Sequence, residues 1–181
     1  MVLIVGILDD KFYLSSTVRF TTQIGAALIL ITGDNTLLLN LGHLVSESTF
    51  HLGSWAIPLT VFSIVGVVNA FNMTDGLDGL AGGLSIITLS AIAILLSLSG
   101  TSSGYFTIPL VFIAAITGFL MFNLRTPWLN KAKIYMGNGG SMLLGILIAW
   151  LLVKFSQGQM QAFDPVFALW IFAVPLLDTV T

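Results

Sequence analysis

Cysteine is absent from the 181 residues, so the chain has no disulfide, no thiolate metal site and no residue that reports its redox compartment. Charge is scarce as well. Charged residues make up 8% of the chain and hydrophobic ones 56%, whereas a soluble domain carries about 25% charged residues. With a mean hydropathy of +1.02, the composition excludes an ordinary soluble globular protein and points to one embedded in a lipid bilayer. A formal net charge of −2 offers nothing to attract nucleic acid. No internal repeat, low-complexity tract or interdomain linker interrupts the sequence, which reads as a single membrane-embedded domain over 1–181. The opening apolar stretch has no basic n-region and no small-residue cleavage site, so it is not a signal peptide.

What is present is a series of apolar runs, at about 20–33, 54–71, 80–98, 106–122, 141–155 and 166–181. Continuous runs of this kind suit helices, since barrel strands would alternate. Met1 to Leu8 is apolar but would rise only about 12 Å as a helix, against a hydrocarbon core of about 30 Å. The expected fold is an all-α polytopic transmembrane helical bundle of about six full spans plus one partial span. The chain is expected to be the middle of a longer protein.

Threading these runs through a membrane puts Lys11, Arg19, Arg125, Lys131 and Lys133 on one side and Lys154 near the other, which makes the first side cytoplasmic. Asp9, Asp10, Asp75, Asp78 and Asn138 fall on that same side. Asp34, His43, Glu47, His51 and Asp164 fall outside, and the two histidines read as polar loop residues. Trp55, Trp128, Trp150 and Trp170 suit an interfacial belt or helix packing.

Three polar motifs break the apolar pattern. Gly6-Ile-Leu-Asp9-Asp10-Lys11 ends the opening half-span with two carboxylates whose mutual repulsion favours a shared cation or a raised pKa. Asn69-Ala-Phe-Asn72-Met-Thr-Asp75-Gly-Leu-Asp78-Gly-Leu-Ala-Gly-Gly83 places four polar residues at a spacing of three, which predicts one shared face. Carboxylates with amide oxygens are hard ligands suited to Mg²⁺, with Mn²⁺ as the alternative, and Mg²⁺ in turn binds phosphate. Lys131-Ala-Lys133-Ile-Tyr-Met-Gly137-Asn138-Gly-Gly-Ser141 leads into an apolar run, and free N–H groups at such a helix start predict an anion site. Each motif also has a plainer reading: a hydrated helix end, a turn between helices, and a topology-setting basic loop.

In this order and on one face, the motifs resemble the polyprenyl-phosphate N-acetylhexosamine-1-phosphate transferase superfamily. The resemblance covers the whole chain, and Asn72-Met-Thr-Asp-Gly-Leu-Asp-Gly79 is its most specific part. Ala168-Leu-Trp170 through Asp178, together with Leu52-Gly-Ser-Trp55, resembles the undecaprenyl-phosphate α-N-acetylglucosaminyl 1-phosphate transferase branch. The related phospho-N-acetylmuramoyl-pentapeptide transferases are the alternative, which Thr74 and Leu77 suit as well. A membrane transporter, which also uses intramembrane acids, is the alternative from another class.

The resemblance implies transfer of N-acetylglucosamine 1-phosphate from UDP-N-acetylglucosamine to undecaprenyl phosphate at the cytoplasmic face of the bacterial inner membrane, with Mg²⁺. It implies that Asp9 or Asp10 orients or deprotonates the lipid phosphate. It places Asp75 and Asp78 by the nucleotide sugar and metal, Asn69 and Asn72 in support, and Lys131, Lys133, Gly137 and Ser141 near substrate. In the superfamily the third motif usually reads Gly-Asp-x-Gly-Ser with a metal-binding Asp; here Asn138 stands in that place beside Asp75 and Asp78 in the implied metal set, keeping a neutral oxygen ligand but losing a full charge, which weakens Mg²⁺ binding. A His-rich cytoplasmic loop that the superfamily carries further downstream has no match within the 181 residues, so these residues alone are expected to be inactive. Together with Asn138, this makes a non-catalytic homologue a further alternative. Asp178, after Pro175, is expected to face the cleft.

Overall fold

The computed structural model describes residues 1–42, 50–100, 104–125 and 131–180. His43, Glu47 and Trp128 lie outside the described residues, and of Asp178 only the helical backbone is described. Eight α-helices account for most of the described chain: α1 Val2–Phe12, α2 Ser16–Asp34, α3 Ala56–Thr74, α4 Leu80–Ser99, α5 Thr107–Asn123, α6 Gly137–Phe155, α7 Pro165–Ile171 and α8 Ala173–Val180. A 3₁₀ turn at Gly53–Trp55 leads into α3. Three helical stretches, Gly53–Thr74, Leu80–Ser99 and Gly137–Phe155, are long and apolar enough to cross a membrane, and Thr107–Asn123 is apolar but shorter. α2 has the length, but Arg19, Gln23 and the hydroxyl residues of its first half dilute its hydropathy.

The expected run at 166–181 is two short helices meeting at Phe172. Pro175 supplies the reason. Its ring nitrogen has no hydrogen to donate to the Ile171 carbonyl four residues back, so an uninterrupted helix is disfavoured there.

α6 is the central element. Of its apolar 18-residue stretch 61% is buried, against 44% for the corresponding stretch of α4 and 33% for that of α3. Ile148, Leu151 and Phe155 of α6 join Phe71 of α3 and Leu89 and Ile92 of α4 in a core where none of these side chains is exposed. α3 crosses α6 at Gly145, where a Cβ would come within 2.7 Å of the Val68 Cα. Small residues at such crossings let backbones approach where lipid supplies no hydrophobic drive.

The two ends of α6 are polar in different ways. At its C-terminal end Lys154 Nζ donates to both carboxylate oxygens of Asp34 at 2.6 Å, and Trp150 Nε1 donates to Asp34 Oδ2 at 2.6 Å. Lys154 also lies over the Tyr105 and Trp150 rings, 5.2 and 5.4 Å from their centroids. This cluster ties the end of α2 to the end of α6. Trp150 is therefore half-buried against the core, whereas Trp55 and Trp170 are exposed. His51 is exposed and forms an isolated antiparallel bridge with Asn40.

Candidate active site

At the other end of α6 three elements meet. Gly6 of α1 lies against Gly139 of α6 so closely that a Cβ on Gly6 would stand 2.5 Å from the Gly139 Cα. That contact brings the C-terminal end of α1, with Asp9 and Asp10, onto the first turn of α6. Asp10 Oδ1 accepts the Asn138 N–H at 2.8 Å and Oδ2 the Gly139 N–H at 3.3 Å. Asp75, just past the end of α3, accepts the Gly137 N–H. Gly137 has φ +67°, and a Cβ there would run into the Asp10 carboxylate at 2.6 Å.

The N–H groups expected to be free for a substrate anion are thus already engaged. The orphan donors and positive end of α6 have attracted the nearest anions, and those are the protein's own carboxylates.

Asp9 is 4% exposed. Its Oδ2 accepts from Asn138 Nδ2 at 2.8 Å and lies 3.5 Å from Arg19 of α2. Asn72 Nδ2 donates to Asn138 Oδ1 at 2.8 Å and to Ser141 Oγ at 3.0 Å. Asp9, Asp10, Asn72, Asp75, Gly137, Asn138 and Ser141 therefore come together around the first turn of α6.

The single face expected for the Asn69–Asp78 series does not form. Three residues turn a helix through about 300°, so each step falls about 60° short of a full turn. Asn69 accordingly points to α2, donating to Gln23 Oε1 at 2.7 Å, while Asn72 points to α6. α3 ends at Thr74, and Asp78 sits beyond it paired with Arg125 at 2.7 Å. Lys131 and Lys133 are exposed, and among the described residues neither forms an ion pair with these acids. The Lys133 backbone N–H instead donates to the Phe122 carbonyl at 2.9 Å.

The metal set expected from the sequence, Asp75 with Asp78 and Asn138, is likewise not assembled. Asp78 is turned to Arg125, and both ends of the Asn138 amide are occupied. Among the described residues no three His, Cys, Asp or Glu side chains are grouped to hold one metal ion. Asp10 and Asp75 remain. Burial first, and then the Asp10 charge, push the Asp75 carboxyl up to about 6, with the Gly137 N–H pulling partly the other way. Among the described residues neither Asp10 nor Asp75 forms an ion pair, and two such carboxylates fit Mg²⁺, which takes one or two protein carboxylates and fills its remaining positions with phosphate and water.

Three residues at or beside the site did not stand out in the sequence as functional. Arg19 entered only as a topology-setting charge, yet it is the cation that contacts the acidic cluster. Gln23 is 1% exposed on the same face of α2, one turn deeper. Asn123 is 5% exposed at the end of α5. Its Oδ1 accepts the Gly79 N–H at 2.7 Å, and its Nδ2 donates to the Ile134 carbonyl at 2.8 Å. It joins the Asp-Gly loop to the segment that enters α6. The available signal for Asn123 was a lone amide at the end of an apolar run.

An apolar cavity of about 460 Å³ lies away from these carboxylates, between α3, α6 and α7, lined among others by Leu59, Phe62, Val67, Leu152 and Leu169. It offers almost no polar group, so the cavity suits a hydrocarbon and not a charged ligand.

Comparison with known proteins agrees with the motif reading. An Escherichia coli undecaprenyl-phosphate alpha-N-acetylglucosaminyl 1-phosphate transferase is 38% identical over 177 residues, covering 97% of this chain and 47% of that protein. A Bacillus subtilis protein described as a probable undecaprenyl-phosphate N-acetylglucosaminyl 1-phosphate transferase is 41% identical over 180 residues, 99% of this chain and 48% of its own length. A Yersinia pestis protein named as the Escherichia coli one is 37% identical over 182 residues, covering 99% of this chain and 49% of that protein. The chain spans about half the length of the curated relatives it matches. Residues 1–156 match the family described as Glycosyl transferase family 4, and the chain belongs to that family.

Proposed function

We propose that the protein to which these residues belong transfers N-acetylglucosamine 1-phosphate from UDP-N-acetylglucosamine to undecaprenyl phosphate, releasing UMP. The observation that carries the reading is the meeting of Asp9, Asp10, Asp75 and Asn138 at one end of a membrane helix, in a chain whose relatives are named for this reaction. In this reading α2, α3, α4, α5, α6 and the α7–α8 pair are six crossings of the bacterial inner membrane in a single domain. The acidic end faces the cytoplasm, where nucleotide sugars are available. The product would begin a cell-surface polysaccharide such as O-antigen, common antigen or teichoic acid.

An oxygen of the lipid phosphate attacks the β-phosphorus of the UDP-sugar. The new P–O bond forms as the bond from that phosphorus to the bridging oxygen breaks, and UMP carries the electron pair away. Such phosphoryl transfer is governed by positioning and charge neutralisation. Asp10 and Asp75 would hold Mg²⁺, which when bound neutralises charge on the diphosphate. Asp10, exposed at the rim, takes any proton remaining on the lipid phosphate. Arg19, 32% exposed beside Asp9, supplies a cation toward an incoming phosphate. The apolar cavity between α3, α6 and α7 suits the isoprenoid tail.

The test is UMP release in membranes containing the complete protein, undecaprenyl phosphate and each of two UDP-sugars, N-acetylglucosamine and N-acetylmuramoyl-pentapeptide. The reading expects turnover with the first, loss on Asp10→Asn or Asp75→Asn, and normal membrane insertion of both variants. Near-native UMP release from either variant would refute the site, and turnover with the second sugar alone would reassign the substrate.

A further inference from the structure

The Asn138 amide stands between two groups that make opposite demands. Its Nδ2 donates to Asp9 Oδ2 at 2.8 Å, and its Oδ1 accepts from Asn72 Nδ2 at 2.8 Å. An ionised carboxylate only accepts hydrogen bonds, so Asp9 dictates which end of the amide faces it. The nitrogen of Asn72 at the other end agrees with that orientation. The second hydrogen of Asn72 Nδ2 goes to Ser141 Oγ at 3.0 Å, and Ser141 donates to the Gly137 carbonyl at 3.0 Å. One amide therefore ties α1, α3 and α6 together at a point where Asp9 is almost wholly removed from water.

A hydrocarbon side chain at 138 would leave both partners unmet. An aspartate there would set two carboxylate oxygens within hydrogen-bond distance of each other in a buried place, an arrangement that calls for a cation between them. An asparagine satisfies both partners and adds no charge.

We propose that Asn138 is a positioning residue that, beside the Arg19 guanidinium, locks Asp9 in one orientation without a metal ion, leaving Asp10 and Asp75 as the carboxylates of the cluster that recruit one. Its catalytic meaning rests on reading the cluster as the transfer site, but the lock itself does not depend on which reaction occurs there. The role of Asp9 is then to be held: it accepts from Asn138 and is ion-paired with Arg19 at 3.5 Å, while its neighbour Asp10 is exposed.

The experiment compares unfolding temperatures of the complete protein in lipid nanodiscs, in EDTA and in excess Mg²⁺. The variants are Asn138→Asp, Asp9→Asn, and the exchange Asp9→Asn with Asn138→Asp, which reverses donor and acceptor. Asn138→Asp is expected to lose roughly 5–10 °C in EDTA and to recover more on adding Mg²⁺ than the native protein gains. The exchange is expected to regain most of the EDTA loss and to respond to Mg²⁺ as the native protein does. A mere packing role for residue 138 would move neither the Mg²⁺ response nor the rescue.

Equal EDTA stability of native and Asn138→Asp, or equal Mg²⁺ shifts in both, would overturn the proposal. Should Asn138→Asp not fold in either condition, the exchange decides: a folded exchange protein supports the lock, and an unfolded one defeats it. UMP release by the native protein is measured separately. Its absence alongside the predicted thermal pattern would remove the transfer reading and leave the lock standing.

Discussion

Gly6 and Gly139 touch backbone to backbone: a Cβ on Gly6 would lie 2.5 Å from the Gly139 Cα and 2.9 Å from the Asn138 carbonyl oxygen. The obstacle is helix backbone and cannot swing aside, so Gly6→Ala must separate α1 from α6. Overpacking of this kind costs about 1–3 kcal/mol, and because Asp9 and Asp10 ride on α1, UMP release should fall as well. Gly83→Ala is the control, since nothing lies within 4 Å of its added Cβ; in a helix it should be neutral or gain up to ~1 kcal/mol. Thermal unfolding of the two variants checks this. A Gly6→Ala protein as stable as Gly83→Ala would mean the contact is looser than described.

Asp75 has a folded-state pKa of about 6 against an ordinary value of 3.8. Between those two values the folded protein holds a proton that the unfolded chain has released, so without metal stability falls as pH rises through this window. Asp75→Asn removes the titrating group while keeping an oxygen for the Gly137 N–H. The variant should lose transfer yet unfold, in EDTA at neutral pH, at a temperature equal to or above that of the native protein. Its unfolding temperature should also be flatter between pH 4 and pH 6. An equally steep decline in the variant would assign the pH dependence elsewhere.

Asn123 serves two partners, the Gly79 N–H and the Ile134 carbonyl. Asn123→Asp keeps an acceptor for Gly79 but turns a carboxylate oxygen toward the Ile134 carbonyl. Asn123→Ala removes both bonds; Gly79 is half-buried and Ile134 exposed, so water meets part of the loss and the cost is about 0.5–1.5 kcal/mol per bond. Both variants should be destabilised in chemical or thermal unfolding, and the aspartate should offer no rescue over alanine. A stable Asn123→Asp would show that only the Gly79 bond matters.

Lys154 lies sixteen residues along α6 from Asn138, about 24 Å of helix rise. Lys154→Met breaks its pair with Asp34, and the loss should be roughly 1–3 kcal/mol. Lys154 is 11% exposed but Asp34 is 39% exposed, which puts the pair between buried and surface behaviour. UMP release per folded molecule should be unchanged. A drop in turnover without a drop in stability would couple this end of α6 to the carboxylate end.

The motifs were legible because polar residues are costly inside apolar helices. Asp9-Asp10, Asn72 through Asp75 and Gly137 through Ser141 stand out from runs of Leu, Ile, Val and Ala, and they do meet. Pairings within the cluster were not legible. Asp78 follows Asp75 by three residues, yet α3 has already ended and Arg125, distant in sequence, takes its charge. Lys131 and Lys133 looked like phosphate ligands by their place before α6, whereas Arg19 on α2 is the cation in contact with Asp9. A helix crossing, which no local pattern encodes, made that difference.

By itself the sequence determined that the chain is helical and membrane-embedded, that its chemistry-bearing residues are few, and which family it belongs to. Hydropathy and local motifs carry that information residue by residue. Only the tertiary structure decided which carboxylate is locked, which caps a helix and which is paired away from the cluster. Those outcomes depend on where the α1, α3 and α6 backbones cross, and the crossings are set by close approach at Gly6, Gly139 and Gly145.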